Sequence, residues 1–162
     1  MEKFLELRQK AEKKIKIADH ILLSSYTLLH DTKLLLSSVN TIYESIESAM
    51  DSVLEYERLF KRIPPLGSGF ESRFSVFKKV AKAKKLDKKH LDLLRTIRDI
   101  KVSHDNSPVE FRRKDKFVIA NEDYQLKTLD LKDLKKYLYE AKVFIRETTN
   151  LTSENDRIFR RS

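Results

Sequence analysis

Cysteine is absent from this chain, and glycine and proline are scarce: two and three in 162 residues. The missing thiols exclude disulfides and thiolate metal centres. Four of the five glycine and proline residues (Pro64, Pro65, Gly67, Gly69) fall in one stretch, IPPLGSG. The rest of the chain has little punctuation, which points to long helices. No apolar run approaches the ~20 residues that span a bilayer. The start, MEKFLELRQKAEKK, offers no signal-peptide apolar region, so a cytoplasmic location without membrane contact is expected. The length suits a single domain over residues 1–150, followed by a basic tail, 151–162, expected to fray.

Charge is what the sequence has in plenty. Lys and Arg number 34 against 25 Asp and Glu, a net charge of +9. Such a surface favours a polyanionic partner (RNA, DNA, a nucleotide or an acidic protein) or is simply well solvated. The Lys- and Glu-rich composition, with two Met, two Gln and no Cys, is of the thermophile kind.

Hydrophobic spacing predicts an all-α, antiparallel bundle of about five helices. The first covers roughly 3–29, with Phe4, Leu7, Ala11, Ala18, Ile21, Ser25 and Leu28 on one face, widened by Ile15, Leu22 and Leu29. His30 and Asp31 read as its end, with Asp31 as cap of the next helix. In the second, Leu35, Val39, Ile42, Ile46, Ala49, Val53, Tyr56 and Phe60 alternate steps of four and three, the period of a bundle seam. This longest stripe makes the second helix the expected centre, and Pro64 and Pro65 end it. Ser68 and Glu71 have capping-box spacing at the start of the third, whose inward residues are Phe70, Phe74, Phe77 and Ala81. Asp87 would cap the fourth, with Leu86 and Leu91 as the staple and Leu93, Ile97 and Ile100 inward. The polar stretch DNSP implies that this helix ends near Ser103. Residues 109–111 (VEF) and 117–120 (FVIA) are expected to pair as a small β-hairpin. The last helix, about 130–149, turns Leu134, Leu138, Ala141 and Ile145 inward.

No cofactor is indicated: the two glycines fit no phosphate-loop motif. No metal is expected either, since the nearest thing to a Glu-x-x-His motif is Asp87-x-x-His90, and Asp87 is already wanted as a cap. Phosphate binding has better candidates. Lys78, Lys79, Lys82, Lys84, Lys85, Lys88 and Lys89 crowd the turn between the third and fourth helices, and Lys101, Arg112 and Arg113 add to them. Lysine supplies backbone affinity without reading bases. Aromatics do not interleave with these lysines, so no stacking platform for bases is indicated.

One motif carries candidate chemistry, Arg98 to His104 in RDIKVSH. Histidine titrates near neutrality and can move protons at a 2′-hydroxyl or a leaving oxygen. Arginine can stabilise the charge that grows on a phosphorane. On one ideal helix the two residues stand about 120° apart, so they share a face only if His104 is reoriented or a second subunit completes the site. The spacing alone arises about once by chance in such a composition, and its placement at the end of the fourth helix of a basic bundle gives it weight.

In that placement the chain resembles the HEPN superfamily of nucleotide- and RNA-binding helical bundles. The resemblance covers about residues 3–148, with Arg98, Asp99 and His104 as the matching motif residues. It implies a homodimer and, as in many members, metal-independent endoribonuclease action by Arg98 and His104, with Asp99 orienting a partner group. The insert before the last helix departs from the family pattern. The alternatives are a non-catalytic interaction protein using the same bundle, and nucleotide binding without cleavage.

Overall fold

The computed structural model describes residues 2–105, 109–113, 116–120 and 126–153, the strands among them by backbone alone. The fold is an all-α bundle of five helical rods with a small sheet before the last.

The first rod is Lys3–His20 (α1), running through a π turn at Ile21–Ser25 into Tyr26–Leu29 (α2). A π turn takes up one extra residue. The inward stripe therefore passes from Ala18 to Leu22 and Tyr26, where an unbroken α period places Ile21 and Ser25. The same shift corrects the expected place of Leu28 and Leu29, which stand 81% and 70% exposed. His30 ends the rod in the left-handed region, at φ 51°.

Lys33–Leu59 (α3) follows, its first turn held by the Asp31 carboxylate, which accepts from the Lys33 N–H at 2.9 Å. It touches α1 and each of the three later rods and is the centre of the bundle. The seam from Leu35 to Tyr56 is buried as its period requires, but Phe60 lies past the helix end and is 40% exposed. Two more faces are buried. Ser38, Ser45 and Ser52 recur every seven residues, and each hydroxyl donates to the carbonyl three residues back at 2.6–2.7 Å. These small, internally satisfied side chains let α1, with Ala11 and Ala18 at the same spacing, approach closely. Leu36, Tyr43, Met50 and Glu57 form the third buried face.

Phe70–Ala83 (α4) buries Phe70, Phe74, Phe77, Val80 and Ala81. The expected capping box does not form. Gly69 is the N-cap, no side chain caps the helix, and Glu71 instead accepts from both Arg95 terminal nitrogens, at 2.6 and 3.0 Å. Lys88–Asp105 (α5) is capped by Asp87, which accepts from the Lys89 N–H at 3.0 Å, while Leu86 and Leu91 pack on the core. The helix outlasts its expected end and carries His104 within its last turn. The DNSP stretch from residue 106 on lies outside the described residues.

Val109–Arg113 (β1), Lys116–Ala120 (β2) and Leu126–Leu129 (β3) form an antiparallel sheet in that order. Phe111 stands opposite Val118, and Phe117 opposite Leu129. The third strand had no signal in the spacing of apolar residues. Leu131–Leu151 (α6) is capped by Asp130 on the Asp133 N–H at 2.9 Å. It runs two residues past the expected end, and Arg8 bonds Thr152 and Ser153 beyond it at 3.3 and 3.1 Å, so the tail is anchored at its start. Residues 154–162, the rest of the expected frayed tail, lie outside the described residues. No helix among the described residues is long and apolar enough to cross a membrane.

Candidate anion-binding site

Where α3, α4 and α5 meet, a row of cations lies over a row of rings. Tyr43 from α3 and Phe70 and Phe74 from α4 are each no more than 5% exposed, and the two phenylalanines stack at 5.4 Å. Above them, α5 presents Arg95, Arg98 and Lys101, three residues apart. The Arg95 guanidinium sits 4.8 Å from the Phe74 ring centre. Arg98 lies 4.9 Å from Phe70 and 5.7 Å from Tyr43, and Lys101 5.5 Å from Tyr43. Ring faces attract cations, more strongly where water is excluded.

The three cations differ in what balances them. Arg95 is neutralised by Glu71, whose carboxyl is held below its usual range by that bond. Lys101 pairs with Asp105 at 3.1 Å. Arg98 has no carboxylate partner among the described residues. One terminal nitrogen donates to the Tyr43 hydroxyl at 3.0 Å, and its other donors meet no acceptor among the described residues.

Tyr43 is itself held. Its hydroxyl donates to Glu47, and Arg73 reaches Glu47 at 3.5 Å and both Asp51 oxygens at 2.5 Å. Burial first, then the Glu47 bond, push the phenol well above its ordinary value, so it remains a hydroxyl. Burial likewise pushes the Asp51 carboxyl up against the pull of Arg73. The chain of contacts holds a guanidinium over two rings with one terminal nitrogen bonded to a phenol, an arrangement suited to a phosphate or carboxylate.

The other motif residues are placed differently. His104 is half-buried and outside the core. Because α5 is continuous through it, His104 stands about 9 Å along the axis from Arg98 and about 120° around it. One chain therefore does not bring the pair onto one face, and of the two conditions for a shared face, reorientation of His104 at a helix end is not met. Asp99 is exposed, and its charge acts on Arg95. Among the lysines, Lys78 lies 5.3 Å from the Phe74 ring and joins the row. Lys79, Lys82, Lys85, Lys88 and Lys89 are exposed, and Lys84 is half-buried 3.7 Å from Glu57. The side chains of Arg112 and Arg113 lie outside the described residues. The rings under the row show no open face, so they serve the cations and offer bases no platform.

His90 is buried, 5.3 Å from the Phe144 ring, and burial lowers its pKa. With Asp87 spent on capping, that pair is structural. No group of three His, Asp or Glu that could hold a metal ion occurs among the described residues.

The sequence reading named Arg98, Lys78 and Lys101 but missed Tyr43, Glu47, Arg73 and Arg95. The recurrence of Leu36, Tyr43, Met50 and Glu57 every seven residues marks the third buried face of α3 and was the available signal for Tyr43. No protein-family model, curated protein or solved structure matches the chain.

Proposed function

We propose that this protein binds RNA, with the Arg95–Arg98–Lys101 row as the phosphate contact and the lysine-rich α4–α5 turn extending it. The observation that supports this most is Arg98, a guanidinium oriented by two rings and a hydroxyl, with no carboxylate in ion-pair contact among the described residues. Arginine in such a setting recognises an oxyanion by charge and by paired N–H groups. The net charge of +9 favours the same class of partner. Nothing in the row reads bases, so affinity is expected to depend on salt more than on sequence. Binding of a short single-stranded RNA to wild type, Arg98→Ala and Lys82→Ala tests this. Arg98→Ala should weaken binding about tenfold and Lys82→Ala by much less.

The resemblance to HEPN proteins and the half-buried position of His104 favour a second reading, metal-independent cleavage. In it, His104 takes the 2′-hydroxyl proton, the 2′-oxygen attacks the adjacent phosphorus, and Arg98 stabilises the phosphorane. The P–O5′ bond then breaks and the 5′-oxygen takes the proton back from the imidazolium, leaving a 2′,3′-cyclic phosphate and a neutral His104. Since one helix separates the two side chains, this reading requires a homodimer in which pairs from two subunits face each other. Incubating RNA with chelator and wild type, Arg98→Ala or His104→Ala decides it. Cleavage that both substitutions abolish, with folding and oligomeric state unchanged, supports the site. RNA that stays whole and unbound favours a non-catalytic interaction protein.

A further inference from the structure

Asn40 lies inside α3, away from either end, where no backbone group needs a cap. Asparagine is a weak helix former whose usual places are caps and turns. Nearby, Ser38 and Ser45 satisfy their hydroxyls on α3 carbonyls. Asn40 does not. The residue is half-buried, and its Oδ1 is buried with no hydrogen-bond donor among the described residues. A buried acceptor left unpaired is destabilising, so the fold alone does not explain this side chain.

Its place beside the anion site does. Asn40 precedes Tyr43 by three residues and Glu47 by seven, so it stands on their side of α3, about 60° round from Tyr43 and about 4.5 Å along the axis. The fourth helix runs parallel to α3, since Arg73 meets Asp51 and Lys84 meets Glu57. The fifth runs back along both, with Arg95 over Phe74 and then Arg98 over Phe70. From Arg98 onward, α5 therefore advances toward the level of Asn40.

We propose, resting on the reading that RNA binds at Arg98, that Asn40 takes the 2′-hydroxyl of a nucleotide next to the bound phosphate and so distinguishes RNA from DNA. The rings of the site offer bases no platform, so a strand held here turns its phosphates and sugars toward the protein. Within a strand, the sugar's one hydrogen-bond donor is the 2′-hydroxyl, and a donor is what Oδ1 lacks. Rotation about the Cβ–Cγ bond brings that oxygen to the exposed side of the half-buried residue.

The test compares three single strands of one sequence at one salt concentration: RNA, DNA and 2′-fluoro RNA. The last keeps the sugar shape of RNA without the donor. Fluorescence anisotropy with the full chain should show wild type binding RNA about three- to tenfold more tightly than the other two. Asn40→Ala should bind all three alike, with its affinity for DNA unchanged. Asn40→Leu keeps the volume and removes the orphaned oxygen, so it should behave in the same way and guards against lost packing. Circular dichroism shows whether each variant keeps its helices. Failure of wild type to bind any of the three overturns RNA binding at Arg98 and this inference with it. RNA bound no more tightly than its 2′-fluoro form, or a preference that the folded Asn40 variants keep, overturns this inference alone.

Discussion

Three helical rods close on residues whose side chains resist the backbone they adopt. His30, Lys61 and Lys85 have φ of 51°, 56° and 58°, a region where glycine is at ease and a Cβ is strained. At Lys85 the closing bond runs from the Leu86 N–H to the Ala81 carbonyl at 2.9 Å, the pattern glycine usually serves. Lys85→Gly is therefore expected to stabilise the protein by about 0.5–1 kcal/mol, measured by urea unfolding. Scarcity of glycine was plain in the sequence, but it read as long helices rather than as strain at their ends. At His90 the consequence is pH dependence. Burial keeps the imidazole neutral in the folded state, whereas the unfolded chain takes up a proton near its ordinary pKa of about 6.5. The unfolded state then binds more protons as pH falls, so the stabilisation is complete above that pKa and is lost below it. Urea unfolding between about pH 5 and 7.5 should show a steeper loss of stability for wild type than for His90→Leu.

At the scale of the element, α3 and the π turn bear the architecture. Ile46 is fully buried in the seam, while Phe60 is 40% exposed and rests on Tyr56 at 5.0 Å. Ile46→Ala should cost about 2–5 kcal/mol and Phe60→Ala about 1 kcal/mol, read by the same unfolding assay. The π turn makes a sharper prediction. Leu23 lies within it and is 46% exposed, so deleting Leu23 should restore a plain α period and keep both flanks in phase. Deleting Lys13, exposed in mid-α1, turns every later residue by about 100° and should abolish folding. Near-native circular dichroism for the first deletion and loss of helix for the second is the expected pair of results. The seam, the inward α4 and α5 stripes and the Asp87 cap were legible because each is a local, periodic signal. The π turn was not, since Ile21, Leu22 and Leu23 are three apolar residues in a row and fit two phases equally well. The capping box failed for a tertiary reason: Arg95, 24 positions away, takes Glu71.

At the scale of the molecule, the candidate site was legible only in part. Arg98 stood out through its motif, but its orientation comes from Tyr43, 55 residues earlier, and Tyr43 in turn from Glu47 and Arg73. A motif spacing cannot show which cation keeps its charge unspent. Arg95 and Arg98 are alike in sequence and differ in the fold, because an acid reaches one and a phenol the other. The long helix through His104 carries the other whole-molecule consequence, that cleavage by this pair needs two subunits.

The central claim is that the Arg98 guanidinium meets the phosphate backbone. Its most direct test follows the side-chain Nε–H of Arg98 by nitrogen-edited NMR during titration with a short RNA, assigned by its loss in Arg98→Lys. The expected result is a saturable shift of that signal, tracking the same affinity as the backbone amides of α5. Shifts confined to the lysine-rich turn between α4 and α5, with the Arg98 signal unmoved at saturation, would contradict it.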